Sequence, residues 1–190
     1  MIEVARQTKE TQITVKLNLH GTGKININTG VGFYDHMLEA FAKHAYMDME
    51  VSCVGDTHID YHHTVEDVGI VIAQALKQAI YPVQNIERFG NATVVMDEAS
   101  VTCDIDLSNR GYLVFELPID GKVGEFDVEL VEEFFKAFAF NLPLTLHLIY
   151  NRGRNKHHII EGAFKALAVA LRRAVTVNDN AGIPSTKGVL

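Results

Sequence analysis

Several residue types are scarce in this 190-residue chain. It has no tryptophan, only four prolines and only two cysteines, Cys53 and Cys103. The cysteines are far apart and form neither a CxxC pair nor a disulfide-rich pattern, which argues against a disulfide framework and suits a reducing compartment. We therefore expect a cytoplasmic protein in which both cysteines are buried thiols on strands.

Long hydrophobic runs are also missing. No stretch approaches the roughly 20 apolar residues of a membrane span, and the N-terminus lacks the basic and then apolar pattern of a signal peptide. Acidic residues outnumber basic ones by 24 to 17, and the net charge of -7 argues against a nucleic-acid partner, because phosphate neutralisation dominates that affinity. We expect a globular protein with no membrane and no nucleic-acid partner, which binds any anionic ligand through a few local basic residues.

The sequence does contain an internal repeat. Shifting the chain against itself by 95 residues, half its length, superimposes one HHxxE motif on another without a gap: His62, His63 and Glu66 on His157, His158 and Glu161. Seven of the nineteen positions in 62–80 and 157–175 are identical, which indicates a duplication. We expect a first half at 1–86, a second half at 87–180 and a short C-terminal tail at 181–190.

Both halves show the same order of predicted elements. In the first, alternating apolar residues predict strands at QITVKLNL and KININT, and a helix, a short strand and a longer helix follow. The second half repeats this order, with strands at ASVTCDIDL, GYLVFELPI and LTLHLIY. We predict an α+β protein in which each half forms a mostly four-stranded mixed sheet with two helices on one face, the helices being sandwiched between the sheets.

The HHxxE motif has the chemistry of a metal site. At a helix start, residues three or four apart share a face, so Glu66 aligns with His62 and is within reach of His63. Adjacent histidines point about 100° apart and cannot easily serve one ion. We therefore expect each motif to offer ligands to two metals, with the repeat, in the same or a neighbouring subunit, completing both shells. Imidazole and carboxylate without thiolate suit Mn, Fe, Ni or Zn.

Two further residues are candidate ligands. His36 lies in GVGFYDHML, just inside a predicted helix start. Aligning the two halves at this point puts Asp35-His36 near Glu132-Glu133 and requires a two-residue indel. Glu133 is therefore either a ligand or an exposed helix carboxylate, and a polar helix cap is the alternative reading of the paired histidines themselves.

Four ordered motifs, GVGFYDHML, DTHIDYHHTVEDVG, NKHHIIEGAFKALAVAL and PSTKGVL, resemble the imidazoleglycerol-phosphate dehydratase family over essentially the whole chain. The resemblance implies a lyase of histidine biosynthesis that converts imidazole glycerol phosphate to imidazole acetol phosphate and water through a metal-bound imidazolate. It further implies a homo-oligomer of 24 subunits, with active sites between subunits and two Mn²⁺ ions in each site.

The resemblance also implies the metal ligands. Matched by motif, they fall on seven positions of this chain: His36, His62, His63, Glu66, His157, His158 and Glu161. Some family members have histidine where this chain has Glu133. Because a carboxylate can also bind a hard cation, Glu133 is kept as an eighth candidate.

Proton transfer and phosphate binding are implied in the same way. Glu10 in RQTKETQI matches the family's N-terminal glutamate and is the candidate for substrate binding and proton transfer, helped by Glu66 or Glu161. From the sequence alone, Glu10 would be a surface strand residue and the tail would be frayed. The family's phosphate-binding positions correspond to two residues that otherwise read as solvated turn arginines and two in the tail: Arg88, Arg110, Ser185 and Lys187.

Two other classes of protein would also use clusters of histidine and glutamate. A dinuclear metal hydrolase attacks a phosphate or amide with a bridging hydroxide, but such sites usually draw on bridging aspartates, and both repeats carry glutamate. A metal-storage or structural metal assembly would close every coordination position. It would leave Arg88, Arg110 and Lys187 without a role.

Overall fold

The computed structural model describes residues 1–190, and its first half builds one four-stranded mixed sheet. The strands lie in the order β1-β2-β4-β3, and only the β3–β4 pair is parallel. Their bounds are β1 Ile2–Gln7, β2 Thr11–Asn18, β3 Ile25–Asn28 and β4 Asp48–Gly55.

The second half builds a sheet of the same topology. The order is β5-β6-β10-β7, with β7 and β10 parallel and the other pairs antiparallel. A small separate hairpin, β8–β9, precedes the third helix. The bounds are β5 Phe89–Met96, β6 Ala99–Asp106, β7 Tyr112–Glu116, β8 Lys122–Val123, β9 Phe126–Asp127 and β10 Thr145–Arg152.

Four helices lie between the two sheets: α1 Gly32–Ala45, α2 His62–Ile80, α3 Glu129–Asn141 and α4 Lys156–Ala174. Helix α2 packs on the first sheet and α4 on the second. Across the middle of the molecule, α1 contacts α4 and α2 contacts α3, so each half places its helices against those of the other. This arrangement confirms the predicted fold class.

One continuous hydrophobic core joins the two halves. It contains strand residues from both sheets, such as Val15 and Leu146, together with Phe134, Phe138 and Phe164 of the facing helices. The Phe134 and Phe164 rings stack with centroids 4.8 Å apart. Burial of this apolar surface holds the halves together, because the helices pack on their own sheet and also on the helices of the other half.

The structure extends the sequence prediction in two places. Each sheet gains its fourth strand at an edge, β1 and β5, where the alternation of apolar residues is weak. Glu10 lies in the turn between β1 and β2, so its reading as a strand residue is wrong. This turn carries Glu10 to the end of the sheet where α2 begins, since α2 packs on β1 and β2.

Both cysteines lie on strands, Cys53 on β4 and Cys103 on β6, and both are buried free thiols as predicted. Burial raises the pKa of Cys53 to about 11 and that of Cys103 well above its ordinary value. None of the helices combines the length and apolar character needed to cross a membrane.

Candidate active site

The first histidine cluster joins α1 to α4. The Nε2 atoms of His36 and His157 lie 3.3 Å and 3.1 Å from the same carboxylate oxygen of Glu161, Oε2. One ligand atom from each of the three residues lies within 4.8 Å of the other two. His157 and Glu161 share a helix face because they are four residues apart, and the packing of α1 on α4 adds His36. We call these three residues the His36 cluster.

Glu161 is a buried carboxylate with a cation of its own. Its other oxygen, Oε1, lies 2.6 Å from Nζ of Lys165, one helical turn further along α4. Burial raises the pKa of Glu161, but the hydrogen bond and positive charge of Lys165, together with His36 and His157, lower it below its ordinary value. The carboxylate is therefore ionised and ready to bind a cation at neutral pH.

The second cluster lies at the start of α2. The His62 Nε2 and Glu66 Oε2 atoms are 3.6 Å apart, which repeats the geometry of His157 and Glu161. Beside them, Glu10 in the β1–β2 turn places Oε1 3.8 Å from Nε2 of His63. We call His62, His63, Glu66 and Glu10 the His62 cluster.

The second histidine of each motif contacts, through Nδ1, a carboxylate from outside the motif. Nδ1 of His63 is 2.9 Å from Asp56 Oδ2, and Nδ1 of His158 is 2.8 Å from Glu98 Oε2. The hydrogen bond to Asp56 raises the pKa of His63. The hydrogen bond from His158, with backbone donors at 154 and 155, lowers the pKa of Glu98 to about 2.

Glu133 on α3 is not part of either cluster. Its carboxylate forms an ion pair with Lys136, with Oε2 3.8 Å from Nζ, and it has no ion pair with a histidine. The side chain is 31% exposed. Within one chain, therefore, Glu133 is a half-buried helix carboxylate, and its role as a ligand stays a prediction.

The predicted phosphate residues line one cavity of about 770 Å³ between the C-terminal tail, the start of β5 and the loop between β6 and β7. Arg88, Arg110, Ser185 and Lys187 all belong to its wall. The site therefore draws on three separate parts of the chain, and its four candidates are brought together as the prediction requires.

Arg88 is not the solvated turn residue that its sequence context suggests. Its side chain is 15% exposed, and Nε and Nη2 donate to the two carboxylate oxygens of Asp106 at 2.7 Å and 3.0 Å. Nη1 donates to the carbonyl oxygen of Pro184 at 2.6 Å. Because Asn85 N also donates to Gly182 O at 2.7 Å, the tail is docked on the body of the protein at this point and is not frayed there.

The donor set of the His36 cluster fits a metal ion. Two imidazole nitrogens converge on a buried, ionised carboxylate, and no thiolate is nearby. This combination of nitrogen and oxygen donors suits Mn, Fe, Ni or Zn. The His62 cluster repeats the imidazole and carboxylate pair, so the protein offers two such half-sites per chain.

The sequence did not point to four of the site's supporting residues: Asp56, Glu98, Asp106 and Lys165. Lys165 could have been found, because a lysine four residues after a glutamate on a helix is placed to pair with it. Asp56 was inside the acidic stretch around the first motif but carried no spacing signal. The contacts of Glu98 and Asp106 depend on packing between distant segments, which no local pattern reveals.

Comparison with known proteins places the whole chain in one family. Residues 29–171 match the family model described as imidazoleglycerol-phosphate dehydratase. The chain is 84% identical to the imidazoleglycerol-phosphate dehydratase of a Sulfurovum species and 67% identical to that of Aliarcobacter butzleri, over the full length of both partners in each case.

Solved structures agree with the sequence relatives. The fold matches a crystal structure of imidazoleglycerol-phosphate dehydratase from Pyrococcus furiosus with a TM-score of 0.87, at 39% identity and covering 98% of this chain and all of the other. The enzyme of that name from Staphylococcus aureus matches with a TM-score of 0.83 at 39% identity, covering 93% of this chain and 99% of the other. This chain therefore belongs to the imidazoleglycerol-phosphate dehydratase family.

Proposed function

We infer that the chain is a lyase of histidine biosynthesis that removes water from imidazole glycerol phosphate and releases imidazole acetol phosphate. Family membership supports the reaction. The His36 cluster is the main support for a metal-dependent reaction, because two imidazole nitrogens lie close to one buried carboxylate. A substrate with an imidazole ring and a phosphate needs both a nitrogen-binding centre and a cationic pocket, and the chain offers both.

The residues that would hold metal are those of the two HHxxE motifs together with His36, and Mn²⁺ is the proposed ion, at two per active site. Bound ions would supply Lewis acidity, which would stabilise negative charge on a nitrogen-containing substrate ring. Glu133 stays the eighth candidate ligand, since its ion pair in the chain is only a 3.8 Å contact with the exposed Lys136.

Glu10 is the residue that we propose moves a proton. The reaction breaks a C–O bond beside the ring and a C–H bond on the next carbon, and the resulting enol becomes the ketone when a proton returns to carbon. A base for this step must lie within reach of the proton, directly or through one water molecule. The Glu10 side chain is 52% exposed and its Oε1 atom lies 3.8 Å from Nε2 of the proposed ligand His63, so it borders the proposed metal site. Glu66 and Glu161 are proposed as its helpers.

Arg88, Arg110, Ser185 and Lys187 are the proposed phosphate-binding residues. Asp106 holds the guanidinium of Arg88 in one orientation through two hydrogen bonds. A fixed guanidinium loses little side-chain entropy when an anion binds. The lysine and serine of the tail complete the pocket from the other side.

The proposal extends to the assembly. A cluster of three ligands leaves open positions on an octahedral ion, and His158 faces away from the His36 cluster toward Glu98. We propose a homo-oligomer of 24 subunits, located in the cytoplasm, in which ligands from neighbouring chains complete each site.

The decisive experiment is dehydration of imidazole glycerol phosphate by protein stripped with a chelator and then titrated with Mn²⁺. Activity should vanish on stripping and return at two ions per chain. The Lys187→Ala variant is the control for the phosphate pocket: KM should rise while the bound metal stays at the wild-type amount. Full activity with a single ion per site would contradict the two-metal proposal. Metal binding without ketone formation would contradict the dehydratase reaction and favour hydrolysis of phosphoesters.

A further inference from the structure

The second histidine of each HHxxE motif forms the same contact: a carboxylate lies within hydrogen-bond distance of its Nδ1 atom. The two carboxylates come from residues that are unrelated in sequence. Asp56, in the loop after β4, contacts Nδ1 of His63 at 2.9 Å. Glu98, in the turn between β5 and β6, contacts Nδ1 of His158 at 2.8 Å. The two carboxylates do not correspond in the 95-residue repeat, so the duplication alone does not account for the shared arrangement.

This contact determines which ring nitrogen is available. An ionised carboxylate can only accept a hydrogen bond, so the Nδ1 atom that faces it must carry the proton. The other nitrogen, Nε2, then has a free lone pair. In both motifs Nε2 is the ring nitrogen that does not contact this carboxylate. It faces Glu10 in His63 and Asp97 in His158.

Glu98 is itself fixed in place. Its Oε1 atom accepts hydrogen bonds from the backbone N–H groups of Arg154 and Asn155, at 3.1 Å and 2.8 Å, while Oε2 faces His158. Asn155 is the N-cap of α4, and its side chain accepts from the N–H groups of His157 and His158. The carboxylate therefore ties the β5–β6 turn to the helix start that carries the histidines.

Asp56 is anchored through its backbone and not through its second carboxylate oxygen. Its side chain is 13% exposed, its backbone N–H donates to the carbonyl oxygen of Glu10 at 3.1 Å, and its Oδ1 atom is buried without a hydrogen-bond partner. The same residue thus connects the turn that carries Glu10 to His63. Glu10, in contrast, is 52% exposed, which suits a group that moves.

We propose that Asp56 and Glu98 are positioning residues, which fix the tautomer and ring orientation of His63 and His158 so that Nε2 is presented to a metal ion. The inference rests on the proposed metal-dependent function. Histidine ligands commonly donate their second N–H to a carboxylate, and loss of such a partner typically weakens metal affinity about 10- to 100-fold.

The test is direct measurement of Mn²⁺ binding to the assembled, substrate-free protein, from the EPR signal of free Mn²⁺ during titration. In Glu98→Gln the amide can point its NH₂ group at Nδ1, which places the proton on Nε2 and blocks the ligand atom. We expect the dissociation constant of one ion per chain to rise about 10- to 100-fold. Asp56→Ala, which removes the acceptor from Nδ1 of His63, should act in the same direction, and Glu125→Gln, in the exposed turn of the β8–β9 hairpin, should leave both ions unaffected.

A double variant separates positioning from general support of the fold. If Glu98 acts through His158, then Glu98→Gln should weaken metal binding in the wild-type background but add no further loss in a His158→Ala background. Equal losses in both backgrounds would show that Glu98 acts on the fold as a whole and would overturn the inference.

The positioning role and the proposed function can be refuted separately. If His158→Ala weakens one ion while Glu98→Gln and Asp56→Ala bind both ions as the wild type does, the positioning role is refuted and the proposed function stands. If His158→Ala itself binds both ions normally, the ligand assignment under the proposed function is refuted, and the positioning role falls with it.

Discussion

At the scale of single residues, the clearest electrostatic dependence is that of Glu161 on Lys165. The Glu161 side chain is 7% exposed and Lys165 Nζ lies 2.6 Å from its Oε1 atom. Removing Lys165 leaves the Oε1 atom of a buried carboxylate without its partner, while His36 and His157 still contact Oε2. The loss of one partner of a buried acceptor costs about 1–3 kcal/mol, so in Lys165→Met we expect the metal-free protein to lose stability in this range and to melt at a lower Tm.

A bound metal ion should reduce this loss, because it supplies positive charge to the same carboxylate. Thermal unfolding of wild type and Lys165→Met, each with chelator and with excess Mn²⁺ at one protein concentration, measures the difference. Lys122→Met is the matched control, since Lys122 pairs with Asp127 at 3.4 Å on the surface and such pairs contribute about 0–1 kcal/mol. A loss of the same size with and without Mn²⁺ would show that the ion does not contact Glu161.

At the scale of elements, strand β5 lies very close to helix α4 at Gly90. A Cβ atom at this position in β5 would lie 1.9 Å from the carbonyl oxygen of Ala170 on α4. Because that obstacle is backbone, the strand and the helix would have to separate. Gly90→Ala should cost about 3 kcal/mol, at the upper end of overpacking effects.

The control for this prediction is Gly32→Ala. Gly32 is the first residue of α1 and a Cβ atom there meets nothing within 4 Å, so the change should be neutral or stabilise by up to about 1 kcal/mol. Thermal unfolding at a fixed protein concentration measures both variants. If the two variants melt together, β5 does not pack on α4 as closely as the structure shows.

The elements that the sequence could predict are those with a strong apolar periodicity. The inner strands and the four helices have strong apolar periodicity, for example TQITVKLN in β2 with its inward residues Ile13, Val15 and Leu17 buried. The edge strand β1 carries only Ile2 and Val4 on its inner side, both partly buried, so its pattern is short and weak. The HHxxE pairs were predictable because their geometry is that of one helical turn.

The contacts that support the site were not predictable, because they join residues far apart in the sequence. Glu98 reaches His158 across 60 residues, and Arg88 depends on Asp106 and on Pro184, which is 96 residues away. Such contacts arise from the packing of β5, β6 and α4 and leave no periodic trace in the sequence. The resemblance to a known family supplied the roles of Glu10 and Arg88, which spacing alone would have left as surface residues.

At the scale of the whole molecule, each chain presents two clusters on different helices. The His36 cluster lies between α1 and α4, and the His62 cluster lies at the start of α2, which packs against α3. Adjacent histidines point about 100° apart, so His157 and His158 cannot easily share an ion, nor can His62 and His63. In the proposed assembly, a neighbouring copy supplies the ligands that one chain does not bring together.

This arrangement predicts complementation between inactive variants. His36→Ala should destroy the first cluster and spare the second, and His62→Ala should do the reverse, so each homogeneous assembly should be inactive. In assemblies formed from an equal mixture after dissociation, a site that combines one cluster from each of two chains is intact in about one quarter of cases, because each cluster is independently intact with a probability of one half. We expect activity to reappear at about 25% of the wild-type value per chain. Mixing without dissociation is the control and should give none, whereas inactivity at every mixing ratio would mean that each site is built within a single chain.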